Sequence, residues 1–237
     1  MKVEIYSDVV CPWCYIGERR FERALAAFPG GADVEVVFRP FQLDPGTPDT
    51  PAPIAQYLTR RFGGRSIAPM LARVSEAAAG EGIAVDWDRA IAVNTRTAHR
   101  LLRLAEREYG AAVQRALAER LFEAHFTRGG NVADHALLAE LAASVGMDAE
   151  RVRGYLASNE GAEELEREFD DARRLGVQAV PTFVFEGQYV VEGGQPASTF
   201  LQVLEEVQRR AAADAPEGAP TGADAAGDAC ADGSCAI

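Results

Sequence analysis

The chain has 237 residues, 48% hydrophobic and 25% charged, enough apolar material for one large domain or one domain carrying an insertion. A formal net charge of -12 and a pI near 4.8 argue against a nucleic-acid or anionic-membrane surface; Lys2 is the only lysine, so nearly all the positive charge is arginine. The opening run Met1 to Asp8 has neither the basic start, long apolar stretch nor small-residue cleavage site of an export signal, and Arg and Glu interrupt every Ala- and Leu-rich stretch before it reaches membrane-spanning length. The expected location is therefore the cytoplasm, where thiols are kept reduced and a close cysteine pair is more often catalytic, redox-sensing or metal-binding than structural.

In chain order, residues 3–7 read as a strand, followed by Cys11-Pro12-Trp13-Cys14, an amphipathic helix over 15–28 and a second strand over 34–38, which together make a βαβ unit. Residues 53–174 read as helical. Ala98, Leu101, Leu102 and Ala105 mark one apolar face, Val113, Leu117, Leu121 and Phe122 the next, and Asp134, Asp148 and Asn159 are candidate N-caps for three more helices. Beta character returns at 180–185, with a turn at Glu186-Gly187-Gln188 and a hairpin partner at 189–191; a closing helix is expected over 197–211. This order predicts an α/β, thioredoxin-like fold: a discontinuous domain of residues 1–45 and 176–212, a large all-helical insertion at 46–175, and a flexible acidic tail at 213–237.

The cysteine motif carries the chemistry. If a helix begins at Cys11, the i, i+3 spacing puts both sulfurs on one face within disulfide reach, and unpaired helix N–H groups favour a thiolate at the first. Cys11 is then the nucleophile and Cys14 the resolving thiol, while Pro12 suits the first helical turn and Trp13 offers a flat apolar surface beside the sulfurs. The competing reading is a four-cysteine zinc centre with Cys230 and Cys235. It is disfavoured because zinc hairpins place such pairs in Gly-rich turns rather than in Pro-Trp at a helix start, so no metal and no tightly bound cofactor is expected. Pro181, at the head of a strand run, is either an ordinary trans proline at a strand entrance or a cis proline that leaves the Val180 backbone free to pair with substrate.

Several segments together resemble the DsbA-family thioredoxin-like proteins, and among them the FrnE-like branch. They are Ser7 through Gly17 with the cysteine motif, Phe41-Gln42-Leu43-Asp44-Pro45, Asn94-Thr95 with Ala98-His99-Arg100-Leu101, Leu121-Phe122-Glu123-Ala124-His125-Phe126, Val180-Pro181-Thr182-Phe183 and Gly194-Gln195-Pro196. The resemblance implies a thioredoxin fold with a helical insertion, a nucleophilic Cys11, a resolving Cys14 and a cis Pro181 facing them, with Pro12, Trp13, Val180 and Pro181 contacting substrate. The implied activity is thiol–disulfide exchange, including disulfide isomerisation, on protein or small-molecule disulfides, with glutathione or thioredoxin as recycling partner. The broader family also holds kappa-class glutathione transferases and 2-hydroxychromene-2-carboxylate isomerases, which typically carry a serine where Cys11 stands. A glutathione-dependent enzyme is accordingly the second reading, and a non-catalytic chaperone-like or biosynthetic accessory protein the third.

His99, His125 and His135 fall in predicted helices outside any zinc-type pair and read as packed or surface residues, with His99 the one that could face the cleft. Asp8 is either a proton acceptor for Cys14 or a strand-end residue bonding local backbone. Cys230 and Cys235 in the tail form a second pair whose Asp232-Gly233 centre can turn the sulfurs together, as a redox shuttle, a metal clip or an incidental feature.

Overall fold

A computed structural model of the chain describes residues 1–214, so Cys230 and Cys235 lie outside the described residues. Strand β1 (Lys2–Ser7) leads through a turn, in which the Cys11 N–H donates to the Asp8 carbonyl at 2.9 Å, into helix α1 (Pro12–Ala27) and then β2 (Glu35–Pro40). The middle of the chain forms β3 (Ala52–Pro53), α2 (Ile54–Arg61), α3 (Ala68–Ala79), β4 (Ile91–Ala92), α4 (Arg96–Tyr109), α5 (Ala111–Arg128), α6 (His135–Ser144), α7 (Ala149–Ala157) and α8 (Ala162–Arg174). It closes with β5 (Thr182–Phe185), β6 (Tyr189–Glu192) and α9 (Ala197–Asp214).

The main sheet has the order β2-β1-β5-β6, with β1 parallel to β2 and antiparallel to β5. The expected helical insertion is present, and it also holds a two-residue antiparallel ladder in which Ala52 pairs with Ala92 and Pro53 with Ile91. Two residues per strand are too few for hydrophobic periodicity to register. Strand β2 is an edge, yet Val36, Val37 and Phe38 are all buried because helices cover it. Its unpaired backbone is met by a side chain: buried Gln114 on α5 accepts from the Phe38 N–H (2.8 Å) and donates to the Phe38 carbonyl (3.0 Å), as a neighbouring strand would.

Asp134 and Asp148 cap α6 and α7 as expected, each accepting backbone N–H bonds from the first turn. Asn159 does not cap α8. The chain makes a further turn, with the Asn159 carbonyl accepting from the Ala162 N–H, and Gly161 takes the cap position at φ 75°. A Cβ there would stand 2.2 Å from the Tyr155 hydroxyl, so only glycine fits. Arg100, nearly buried, donates to the carbonyls of Tyr155, Ser158 and Glu160 and lies over the Tyr155 ring at 5.0 Å, neutralising the C-terminal end of α7.

Helix α1 buries one polar side chain that nothing satisfies. Both carboxyl oxygens of Glu18 are buried without a hydrogen-bond partner among the described residues. Burial, then the neighbouring carboxylates Glu119 and Glu22, push its pKa well above the ordinary value against the opposing pull of Arg115 and Arg19. A carboxyl raised in the folded state contributes stability below the unfolded pKa and loses it as pH climbs through the folded one. Glu18→Met, similar in volume and helix propensity, is therefore expected to stabilise the protein by about 1–3 kcal/mol near neutral pH. The gap should widen toward alkaline pH, and thermal melts at pH 5, 7 and 9 measure it; a variant that melts below the parent at pH 9 would contradict this account.

Candidate active site

Helix α1 begins where the motif places it. Cys11 is the N-cap residue with extended dihedrals (φ -91°, ψ 112°), Pro12 occupies the first turn, and the Cys14 N–H returns to the Cys11 carbonyl at 3.0 Å. Both thiols are free and buried, at 3% and 2% exposure. The Cys11 thiol points to the Val180 carbonyl at 3.7 Å, and the Val180–Pro181 peptide bond is cis. Strand pairing starts one residue later at Thr182, since proline has no N–H to give to the ladder.

The approach of the Pro181 loop to α1 depends on glycine. A Cβ on Gly17 would lie 3.0 Å from Pro181 Cγ and 3.2 Å from Gly194 Cα, so a side chain at this position would require the loop to give by a few tenths of an ångström. Arg20, one turn further along, donates to the Gly194 carbonyl (2.6 Å) and to Glu81 (2.8 Å). Hydrogen bonds from Arg20 and Arg23 outweigh the burial of Glu81 and hold its carboxyl below the ordinary range. Arg73 of α3 stands over the Trp13 ring at 5.5 Å, linking the insertion to the motif.

The two thiols differ in surroundings. Burial first, and then the proximity of Cys11, push the Cys14 thiol well above the ordinary value, while the Ser7 hydroxyl and the Asp8 backbone N–H pull the other way. The Asp8 carboxylate is committed elsewhere: it accepts from the Leu43 N–H at 2.8 Å and lies 3.3 Å from His99 Nε2. Neither reading of Asp8 describes its carboxylate, which bonds no local backbone and meets instead the distant Leu43 N–H and His99. His99 is packed against Asp8 and Phe169, and His135 is exposed.

Cys11 opens onto a cavity of about 450 Å³ between the cysteine helix and the insertion. Pro12, Trp13 and Val180 share its wall, whereas Pro181 packs toward Gly17. Another wall is the apolar stripe of α2, Ile54, Tyr57 and Leu58, continued by its C-cap residue Phe62, at i, i+3, i+4 and i+8. No residue of α2 is buried, so its apolar face lines the cavity instead of joining the core. That stripe was the available signal for these wall residues. His125, a packed residue by sequence, also belongs to the wall. Burial lowers its pKa to about 4 against the pull of the Gly130 carbonyl and Asp8, so its ring is neutral at physiological pH.

A four-stranded mixed sheet with a cysteine pair at the mouth of its first helix and a cis-proline loop opposite defines a protein of the thioredoxin class. The family model of the DSBA-like thioredoxin domain matches residues 2–205, and the chain belongs to that family. A probable DsbA oxidoreductase from Streptomyces coelicolor superposes with a TM-score of 0.80 at 37% identity, covering 100% of this chain and 99% of that one. The cytosolic disulfide reductase DsbM from Pseudomonas aeruginosa, solved with GSH, shares the fold at a TM-score of 0.63 and 21% identity, over 88% of this chain and 100% of that one. The uncharacterized protein YwbO of Bacillus subtilis is 26% identical over 223 residues, 88% of this chain and 98% of its own.

Proposed function

We propose that the protein is a thiol–disulfide oxidoreductase in which Cys11 attacks a substrate disulfide and Cys14 resolves the mixed disulfide. The observation that carries this reading is the asymmetry of the pair: Cys11 borders the open cavity at the helix N-terminus, and Cys14 lies behind it with its proton held tightly. That asymmetry also orders the steps. A neighbouring Cys11 thiolate makes Cys14 harder to ionise; once Cys11 is bonded to substrate sulfur that negative charge is gone, and Cys14 loses its proton more readily when its thiolate is needed. Pro12, Trp13 and Val180 border the substrate sulfur, and Pro181 holds the Val180 carbonyl beside Cys11.

The reaction uses no cofactor beyond the two sulfurs. Glutathione fits as the recycling thiol, in line with the glutathione held by the DsbM structure; thioredoxin is the alternative reductant. Equilibration in glutathione buffers of graded ratio, with trapping of free thiols, tests the proposal. The Cys11–Cys14 couple should titrate as one two-electron step, and the reduced protein should turn over a disulfide substrate at the expense of glutathione. A protein that prevents aggregation equally well in both oxidation states, without turning over any disulfide, would be the non-catalytic chaperone instead.

A further inference from the structure

We infer that Arg73 selects the thiol partner, by holding a carboxylate of glutathione while the glutathione sulfur is bonded to Cys11. This rests on the proposed function and deepens it by assigning a contact to the recycling step. Arg73 lies on α3 next to Val74, which is buried and lines the cavity beside Cys11. Its guanidinium stands 5.5 Å from the centroid of the Trp13 ring, and Trp13 lines the same cavity two residues after Cys11. An aromatic face attracts a cation without using its N–H donors, so the guanidinium is positioned while its hydrogen bonds are still to be made.

The other charges around the motif are committed. Arg20 and Arg23 share Glu81, and Arg61 takes Asp44. Of the carboxylates that line the cavity, Asp8 has the Leu43 N–H and His99, while Asp44 has Arg61 and the Tyr57 hydroxyl. Arg73 is exposed and has neither a carboxylate nor another hydrogen-bond acceptor among the described residues, although Glu76 follows it by one turn of the same helix. A chain of net charge -12 repels an anionic thiol, and a free guanidinium beside the cysteine motif is a local exception to that field.

Glutathione fits three features of the site at once. The cavity of about 450 Å³ is within the range of small-molecule sites. The cysteinyl N–H of the tripeptide can donate to the Val180 carbonyl, which lies 3.7 Å from the Cys11 sulfur. Its glycyl carboxylate stands one residue, about 3.5 Å of extended chain, from the sulfur-bearing residue, a reach suited to a cation over the ring of Trp13. A guanidinium can grip that carboxylate with two parallel hydrogen bonds, which fixes direction as well as charge.

The chemistry balances. One glutathione thiolate attacks the Cys11 sulfur of the Cys11–Cys14 disulfide, forming the mixed disulfide and releasing the Cys14 thiolate, which takes up a proton. A second glutathione thiolate attacks the glutathione sulfur of that mixed disulfide, releasing oxidised glutathione and the Cys11 thiolate. Two electrons pass from two glutathiones to the protein, and Arg73 holds the tripeptide bonded to Cys11 through both steps.

The test compares glutathione, its glycyl ethyl ester and 2-mercaptoethanol as reductants of the oxidised full-length protein, with Cys11 and Cys14 followed by peptide mapping apart from Cys230 and Cys235. After division by each thiol's rate with 2,2′-dithiodipyridine, the protein should favour glutathione over the other two by about three- to fivefold, the worth of one exposed ion pair. That preference should vanish in Arg73→Gln, survive in part in Arg73→Lys, and fade in the parent as salt rises from about 0.05 to 0.5 M. In Arg73→Gln, esterification should make no further difference, a result that a merely structural role for Arg73 does not produce. Circular dichroism melts establish that both variants are folded. S-methylglutathione, which cannot exchange, supplies a readout independent of turnover: it should slow alkylation of Cys11 in the reduced parent at concentrations about three- to fivefold lower than in Arg73→Gln. Protection that depends on Arg73 without turnover of any disulfide would overturn the proposed function and leave the Arg73 contact standing. Equal normalised rates for the three thiols, or a preference that survives intact in Arg73→Gln, would overturn the contact and leave the proposed function standing.

Discussion

Cys14→Ser will stop the reaction halfway: incubated with a small disulfide, it should accumulate a covalent adduct at Cys11, located by peptide mapping apart from any adduct on Cys230 or Cys235 and reversed by reductant. Cys11→Ser should form none at Cys14, and each variant should lose turnover by on the order of a thousandfold or more, since nucleophile and resolving thiol act as a unit. The expectation rests on position. Cys11 borders the cavity and Cys14 does not, and burial keeps Cys14 protonated while Cys11 is unreacted. Mass spectrometry of intact protein and of its peptides is the measurement. An adduct on Cys14 in the Cys11→Ser variant, formed at the rate of the parent protein, would show that the roles are reversed.

The second large effect is on stability. Phe21 of α1 is completely buried and meets the rings of Phe183 (5.3 Å), Phe185 (6.0 Å) and Phe200 (5.4 Å), so one side chain joins the cysteine helix to the strand after Pro181 and to the closing helix. Phe21→Ala should cost about 3–5 kcal/mol, the sum of lost transfer energy and the cavity left behind. Because Phe183 follows Pro181 by two residues, loosening this cluster should also lower disulfide turnover at temperatures where the variant is still folded. Urea unfolding gives the first quantity and turnover below the melting transition the second. A loss of less than about 1 kcal/mol would mean that the aromatic cluster repacks around the gap.

The local features of this protein were legible in its sequence, because each depends on residues adjacent in the chain. The spacing of Cys11 and Cys14, with Pro12 between them, fixed where α1 starts; Asp134 and Asp148 marked helix starts; and Glu186-Gly187-Gln188 marked the β5–β6 hairpin. Asn159 misled because a cap residue and a turn residue share the same side-chain chemistry, and the downstream Gly161, packed on Tyr155, took the position. What only the tertiary structure decided are the encounters between distant segments. Gln114 substitutes for a missing strand beside Phe38, 76 positions away, and Asp8 turns from Cys14 to Leu43 and His99. His125 and the stripe of α2 meet Cys11 around one cavity. An apolar stripe on a helix has the same pattern whether it faces a core or a void; only the packing of the insertion against the cysteine helix leaves the stripe of α2 facing space instead of other side chains.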